Sequence, residues 1–348
     1  MHRTTTGQDE GTTGRGAPPQ ASRRRRSVLA AVVLVAAAVV GPLLAGVAAA
    51  HAAPDDRATL FFIRTAGTPS GRVEIHTATA ASHYQQADLH TTTYFRTTEA
   101  RQGYFQMIGR TLWFLKVCET GSGSWELHSA TPQSGYTSGA HVALTGTGDA
   151  PQANLPCDQA KARLASSRVH LAFQPSTPTT YPVAFIVASG SRLTAFLVSC
   201  SGFAYCLTGA DVTSAGAGAT YGPSAGTATA RPTPVALVPS SATGRLQVVG
   251  YTGAWGAGQV YGGFDPASNR STVFTTGDAA AGFTDVRDVT GDGVADVTYV
   301  KLVAPGTGHV EVFAANGTSP GSLLLASSTW FSPSLASAGT WQLGSAAN

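Results

Sequence analysis

The chain repeats itself, and that constrains its fold more than any other feature of its 348 residues. Thr59-Leu-Phe-Phe-Ile-Arg64 leads through a Gly/Pro/Ser turn to Gly71-Arg-Val-Glu-Ile-His76. Thr111-Leu-Trp-Phe-Leu-Lys116 leads to Gly123-Ser-Trp-Glu-Leu-His128, and Val297-Thr-Tyr-Val-Lys-Leu302 to Gly308-His-Val-Glu-Val-Phe313. Val235-Ala-Leu-Val238 leads to Gly244-Arg-Leu-Gln-Val-Val249. The most diverged copy runs from Val183–Val187 to Ser191-Arg-Leu-Thr-Ala-Phe196. With Val73, Trp125, Leu193, Leu246 and Val310 as equivalent points, the spacings are 52, 68, 53 and 64 residues.

Each copy offers an apolar strand, a turn, an alternating strand, a third strand such as 85–95 and a fourth such as 104–108. Alternation puts successive side chains on opposite faces of a sheet. Four short antiparallel strands per unit, repeated at this period, specify an all-β fold, a β-propeller of about five four-stranded repeats. One unit cannot bury both its faces; stacking against its neighbours does so. Gly339-Thr-Trp-Gln-Leu-Gly344 matches Gly103-Tyr-Phe-Gln-Met-Ile108, the strand that runs into the second unit. The chain therefore ends on a strand that its first unit lacks. Residues 340–344 are expected to pair with Thr59–Arg64 and seal the ring. The extra length near 145–168 reads as an insertion, with 157–164 as one short helix.

Between the fourth and fifth units lies Asp288-Val-Thr-Gly-Asp-Gly-Val-Ala-Asp296. Asp288, Thr290, Asp292 and Asp296 fall at positions 1, 3, 5 and 9, and the Val294 carbonyl at position 7. Calcium takes six to eight oxygen ligands, which a tight loop supplies from alternate residues with glycine at the sharp turn. Three carboxylates in nine residues repel one another unless a cation neutralises them. An EF-hand would need Glu at position 12, where Tyr299 stands. The loop is expected to hold one Ca2+ as a structural pin and to run straight into a strand.

Residues 1–52 read as a secretory signal. Arg23–Arg26 is a basic block, 27–50 is almost wholly apolar, and Ala50-His51-Ala52 is a small-x-small cleavage site. Arg25-Arg26-Ser27-Val28-Leu29 resembles a twin-arginine signal. An uncleaved membrane anchor is the alternative, since the apolar run is long enough to span. Six of the 22 basic residues and two of the 19 acids lie in this segment, so 53–348 carries one net negative charge. Nothing there supports a nucleic-acid or membrane-surface partner. All four cysteines fall in the exported part, where disulfides persist. Cys200 with Cys206 and Cys118 with Cys157 is one of three possible pairings.

On these residues the chain resembles the FG-GAP/VCBS repeats of integrin-like β-propellers, in particular secreted actinobacterial VCBS-repeat proteins. The Asp288–Asp296 loop, preceded by Gly282-Phe283, and the Phe-Ile-Arg…Gly-Arg-Val-Glu-Ile-His pairs carry the resemblance. It implies calcium at Asp288, Thr290, Asp292, Val294 and Asp296, although the usual Asn or Asp at the third position is Thr290. It also implies that up to seven blades are possible, and a binding or adhesion role.

No zinc-protease motif and no nucleophile elbow occur. His76 and His128 share one repeat position and read as outward-facing strand residues. Glu74, Glu126 and Glu311 recur likewise and read as scaffold. Trp113, Trp125 and Trp341 sit at strand positions and read as core. Trp255, in Gly-rich Tyr251–Gly258, reads as a loop residue and the best exposed ligand contact. The expected function is that of a secreted, monomeric, non-catalytic β-propeller. It would be calcium-stabilised and would bind an extracellular glycan, cell-wall polymer or protein. The alternative is a polysaccharide hydrolase or lyase using carboxylates on one propeller face.

Overall fold

The computed structural model describes residues 58–120, 125–147, 169–172, 184–189, 192–198, 206–213, 215, 219–223, 234–256, 259–290, 292 and 294–345. The signal segment, most of the 145–168 insertion with the helix expected in it, Cys157 and Cys200 lie outside them. Cys118 is buried, and no described cysteine is free.

Twenty-one strands are described, and they follow the repeats. The first unit holds β1 (Ala58–Arg64), β2 (Arg72–Thr79) and β3 (Leu89–Arg96). The second holds β4 (Gly103–Ile108), β5 (Thr111–Lys116), β6 (Trp125–Ala130) and β7 (Gly139–Thr147). The third holds β8 (Val169–Ala172), β9 (Ala184–Ser189), β10 (Arg192–Val198) and β11 (Cys206–Thr213). The fourth holds β12 (Thr220–Pro223), β13 (Pro234–Pro239), β14 (Arg245–Gly256), β15 (Gln259–Phe264) and β16 (Arg270–Thr275). The fifth holds β17 (Gly282–Arg287), β18 (Asp296–Lys301), β19 (Glu311–Ala315) and β20 (Leu323–Ser328). The last strand is β21 (Gly339–Ser345).

The strands form a β-propeller of four sheets. One sheet is eight-stranded because the second and third units join through a parallel pairing of β7 with β11. Every other pairing among the described strands is antiparallel; the five sequence repeats thus fall on four sheets, the eight-stranded one holding two of them and the fourth repeat's sheet carrying five strands. The first strand of each unit packs on the next: β21 on β4, β4 on β8, β8 on β12, β12 on β17, and β17 back on β21. These five inner strands contact one another in a closed cycle, as the strands around a propeller's central channel do.

Closure occurs where the sequence matching places it. β21 pairs with β1 over the whole length of both, from Ala58 opposite Ser345 to Arg64 opposite Gly339. Trp341 stacks on Phe62 with ring centroids 4.1 Å apart, as Phe105 stacks on Phe114 at 4.2 Å in the second unit. The Gln342 amide donates to Met107 O at 2.6 Å and accepts from Met107 N at 3.1 Å, tying the closing strand to the next inner strand.

Strand alternation explains why the units need each other. On β1, Leu60 and Phe62 enter a core shared with Val310, Val312 and Phe331 of the fifth unit. Phe61 and Ile63 enter a second core with Phe105, Leu112 and Phe114 of the second unit. Val297 and Tyr299 of β18 likewise face Leu246, Val248 and Phe274 of the fourth unit. A period-2 strand with apolar residues on both faces is thus buried on both faces.

Glycine recurs at the head of three inner strands for a steric reason. A Cβ on Gly103, Gly282 or Gly339 would lie 1.9–2.0 Å from the carbonyl oxygen of Leu115, Val300 or Ile63. Only hydrogen fits where the neighbouring strand passes that closely.

Trp255 departs from expectation. It belongs to β14, opposite Val260 on β15, so Tyr251–Gly256 is strand and not loop. The second half of the long β14 pairs with β15, and its first half pairs with β13 and β16. The Trp255 side chain lies outside the described ones.

Candidate functional site

Two features converge on β17. Its side chains line a cavity among the inner strands, and its C-terminal end leads into the Asp288–Asp296 loop.

A cavity of about 290 Å³ opens among β4, β17 and β21. Thr65, Tyr104, Phe283, Asp285, Arg287 and Thr340 are among its lining residues. Phe283 is 38% exposed, one of few large apolar side chains left in solvent among the described residues. Burial raises the Tyr104 phenol above its ordinary value, so the hydroxyl stays protonated and can donate a hydrogen bond. Arg287 Nε donates to Asp285 Oδ2 at 2.6 Å, and Asp285 Oδ1 accepts from Val286 N at 2.8 Å. Asp285 is the single carboxylate among the described lining residues. Acid–base cleavage of a glycosidic bond uses a pair of carboxyl groups about 5–9.5 Å apart. The cavity thus gathers an apolar ring, a phenol, a guanidinium and threonine hydroxyls.

The loop joins β17 to β18, and Asp296 is the first residue of β18, as its position before an apolar strand implied. Asp296 is buried, and both its oxygens accept backbone N–H groups. Val289 N lies 3.0 Å from Oδ2, and Gly317 N, in the β19–β20 turn, lies 2.9 Å from Oδ1. Burial pushes its carboxyl up to about 6; those two N–H groups oppose the rise, and the Asp292 and Asp288 charges add to it. Asp292 is exposed and its Oδ1 accepts from Val294 N at 2.7 Å. Thr290 is buried and donates to Asp288 Oδ1 at 3.2 Å.

The donor set fits calcium in chemistry: hard oxygens, three of them from carboxylates, with mutual repulsion that a cation would relieve. The three carboxylates nevertheless stand apart from one another. Among the described residues, Glu74, His76 and His90 form the one group of three or more potential ligands gathered within 4.8 Å. Asp292, at the exposed tip, is the side chain that would have to turn inward.

The other singled-out residues sort as follows. Trp113, Trp125 and Trp341 are buried, as expected. Glu74 pairs with Arg64 at 3.6 Å and Glu311 with Lys301 at 3.5 Å, which fits the scaffold reading. His76 is not outward-facing: it is buried against Phe62 and within 3.3 Å of Glu74. His128 is half-buried and 3.1 Å from Glu126. Sequence reasoning missed both the channel cavity and His90. The cavity is built by strands of different units, and His90 meets His76 only through the β2–β3 register.

No family model matches the chain, and no curated protein matches it. Among solved structures it is similar to a proposed 6-phosphogluconolactonase from Bacteroides uniformis. The identity is 11% and the TM-score 0.31, over 79% of this chain and 83% of that one. It is also similar to a protein from Lactobacillus plantarum at 12% identity and TM-score 0.33, over 78% and 82% of the two chains. Likeness at this level assigns no function.

Proposed function

We propose that the protein is a secreted, non-catalytic FG-GAP/VCBS-type β-propeller that binds an extracellular glycan or cell-wall polymer at its central channel. One observation carries the reading: the cavity among β4, β17 and β21 combines exposed Phe283 with Tyr104 and the Asp285–Arg287 pair. Aromatic rings stack on the apolar faces of sugars while polar neighbours hydrogen-bond the hydroxyls. The single lining carboxylate, already engaged by Arg287, supports binding over hydrolysis. Residues 1–52 support export, and the oxygen donors of Asp288–Asp296 support a calcium ion that pins the fifth unit where β17 ends.

Retention on insoluble peptidoglycan, chitin and cellulose, by wild type and by Phe283→Ala, tests it. Retention by one polymer, reduced at least about tenfold in the variant, is expected; a tenfold loss corresponds to about 1.4 kcal/mol. Equal retention of both proteins would remove the channel as the site. Release of soluble fragments would turn the reading toward a hydrolase or lyase.

A further inference from the structure

We propose that Glu74, His76 and His90 form a binding site for a divalent transition-metal ion of the zinc class, with one coordination position open to solvent. This site lies on the first unit, outside the channel and the calcium loop, and does not depend on either.

The strand pattern assembles it. Glu74 and His76 are two residues apart on β2 and so share a face. The β2–β3 register sets His90 directly opposite His76. The two imidazoles stack with centroids 4.2 Å apart. Glu74 Oε2 lies 3.3 Å from His76 Nε2 and 3.6 Å from His90 Nε2, and all three ligand atoms fall within 4.8 Å of one another. Zinc takes nitrogen at about 2.0–2.1 Å and oxygen at about 2.0–2.2 Å, so tetrahedral ligand atoms stand roughly 3.3–3.5 Å apart. The Glu74–His76 edge already matches, the Glu74–His90 edge is 3.6 Å, and a small turn of exposed His90 brings in the rest.

The chemistry selects the ion. Two imidazoles and one carboxylate suit zinc, copper or nickel, whereas calcium and magnesium require oxygen donors throughout. Glu74 and His76 are buried while the His90 side chain is 56% exposed. Two ligands are thus fixed from within, and the third stands where an ion would enter.

The repeats supply an internal comparison. The second unit carries Glu126, His128 and His141 at matching places, with His128 opposite His141. Its rings stand 5.2 Å apart, and among the described residues its ligand atoms are not gathered as those of the first unit are. In the fifth unit Phe313 stands where His76 does, and Glu311 pairs with Lys301. Scaffolding at this position is therefore met without histidine. One group opposes the metal: Arg64 Nη1 lies 3.6 Å from the same Glu74 oxygen. Arg64 also donates to the Ala66 and Gly67 carbonyls, so it stays held when displaced from Glu74.

Cobalt(II), as a spectroscopic substitute for zinc, is titrated into chelator-stripped protein in excess calcium. One equivalent per chain with tetrahedral visible absorption is expected, displaced by zinc. His90→Ala weakens binding at least about tenfold, the scale that even outer-shell partners reach. Arg64→Ala strengthens it by relieving the competition for Glu74. His83→Ala and Asp292→Ala bind as wild type. His90 is exposed, so metal-free His90→Ala is expected to melt with wild type and its loss of binding does not report misfolding. Absence of a stoichiometric cobalt spectrum, binding undiminished in His90→Ala, or binding abolished in Asp292→Ala would each overturn the site.

Discussion

The ring is closed by Trp341, and its truncation is the most informative perturbation of the fold. The indole is 4% exposed. It stacks on Phe62 at 4.1 Å and meets Phe331 edge-on at 5.1 Å, so it joins the closing strand to the first and fifth units at once. Removing a buried Trp or Phe ring costs about 3–5 kcal/mol through lost transfer energy and the residual cavity. That is a large share of the 5–15 kcal/mol that typically separates folded from unfolded domains. With a urea slope of roughly 3 kcal/mol per molar, the midpoint of Trp341→Ala should fall by about 1–1.7 M. Trp341→Phe should behave differently. Phe105 occupies the equivalent place against Phe114, and the Trp341 N–H is buried without a partner. Phenylalanine keeps the stack and removes an unsatisfied donor, whose burial costs about 1–3 kcal/mol. Its midpoint should lie within about 0.4 M of wild type, a shift of about 1 kcal/mol or less at the same slope. Urea unfolding followed by circular dichroism reads both. Trp341→Ala unfolding at the wild-type midpoint, or Trp341→Phe falling as far as Trp341→Ala, would refute the reasoning.

Four further outcomes follow. Gly339→Ala would place a Cβ 2.0 Å from Ile63 O, so β21 must part from β1; a lower midpoint and amide exchange raised in both strands are expected, and unchanged exchange would count against the pairing. Calcium at one hundred times its dissociation constant should add about 2.7 kcal/mol to unfolding stability, and Asp292→Ala should abolish the gain; equal melting with calcium and chelator would leave the loop as a bare turn. Asp296 sits near 6 in the metal-free fold, above the unfolded value of about 3.9, so its neutral form is favoured by folding. Its contribution therefore falls as pH rises from about 4 through about 6, by roughly 3 kcal/mol, and chelator-treated wild type should lose that much relative to Asp296→Asn across the interval. Calcium affinity should run the opposite way and weaken below pH 6, which calorimetry at pH 5 and 7.5 would read.

The repeats made the units legible because an alternating strand with apolar residues on both faces, such as Thr59–Arg64, has few other ways to be buried. Ring closure was legible because Trp341, Gln342 and Leu343 reproduce Phe105, Gln106 and Met107. What depended on register was not. His90 sits in a polar, Thr-rich strand, and nothing local says it meets His76. The glycines at 103, 282 and 339 recur visibly, but their cause is the carbonyl of the neighbouring strand. Trp255 was misplaced because glycine content suggested a loop, whereas pairing with β15 outweighed the weak strand propensity of its neighbours. The cavity is assembled from residues nearly 240 positions apart, such as Tyr104 and Thr340, and no window of sequence contains it.

The central claim is that the channel binds a saccharide and leaves it intact. Titration calorimetry with soluble oligosaccharides of the polymer that retains the protein, followed by mass spectrometry of the recovered ligand, tests it directly. Wild type should bind one equivalent, Phe283→Ala and Tyr104→Ala should each lose at least about tenfold (about 1.4 kcal/mol), and the ligand should return unchanged. Wild-type affinity in both variants, or a shortened ligand, would contradict it.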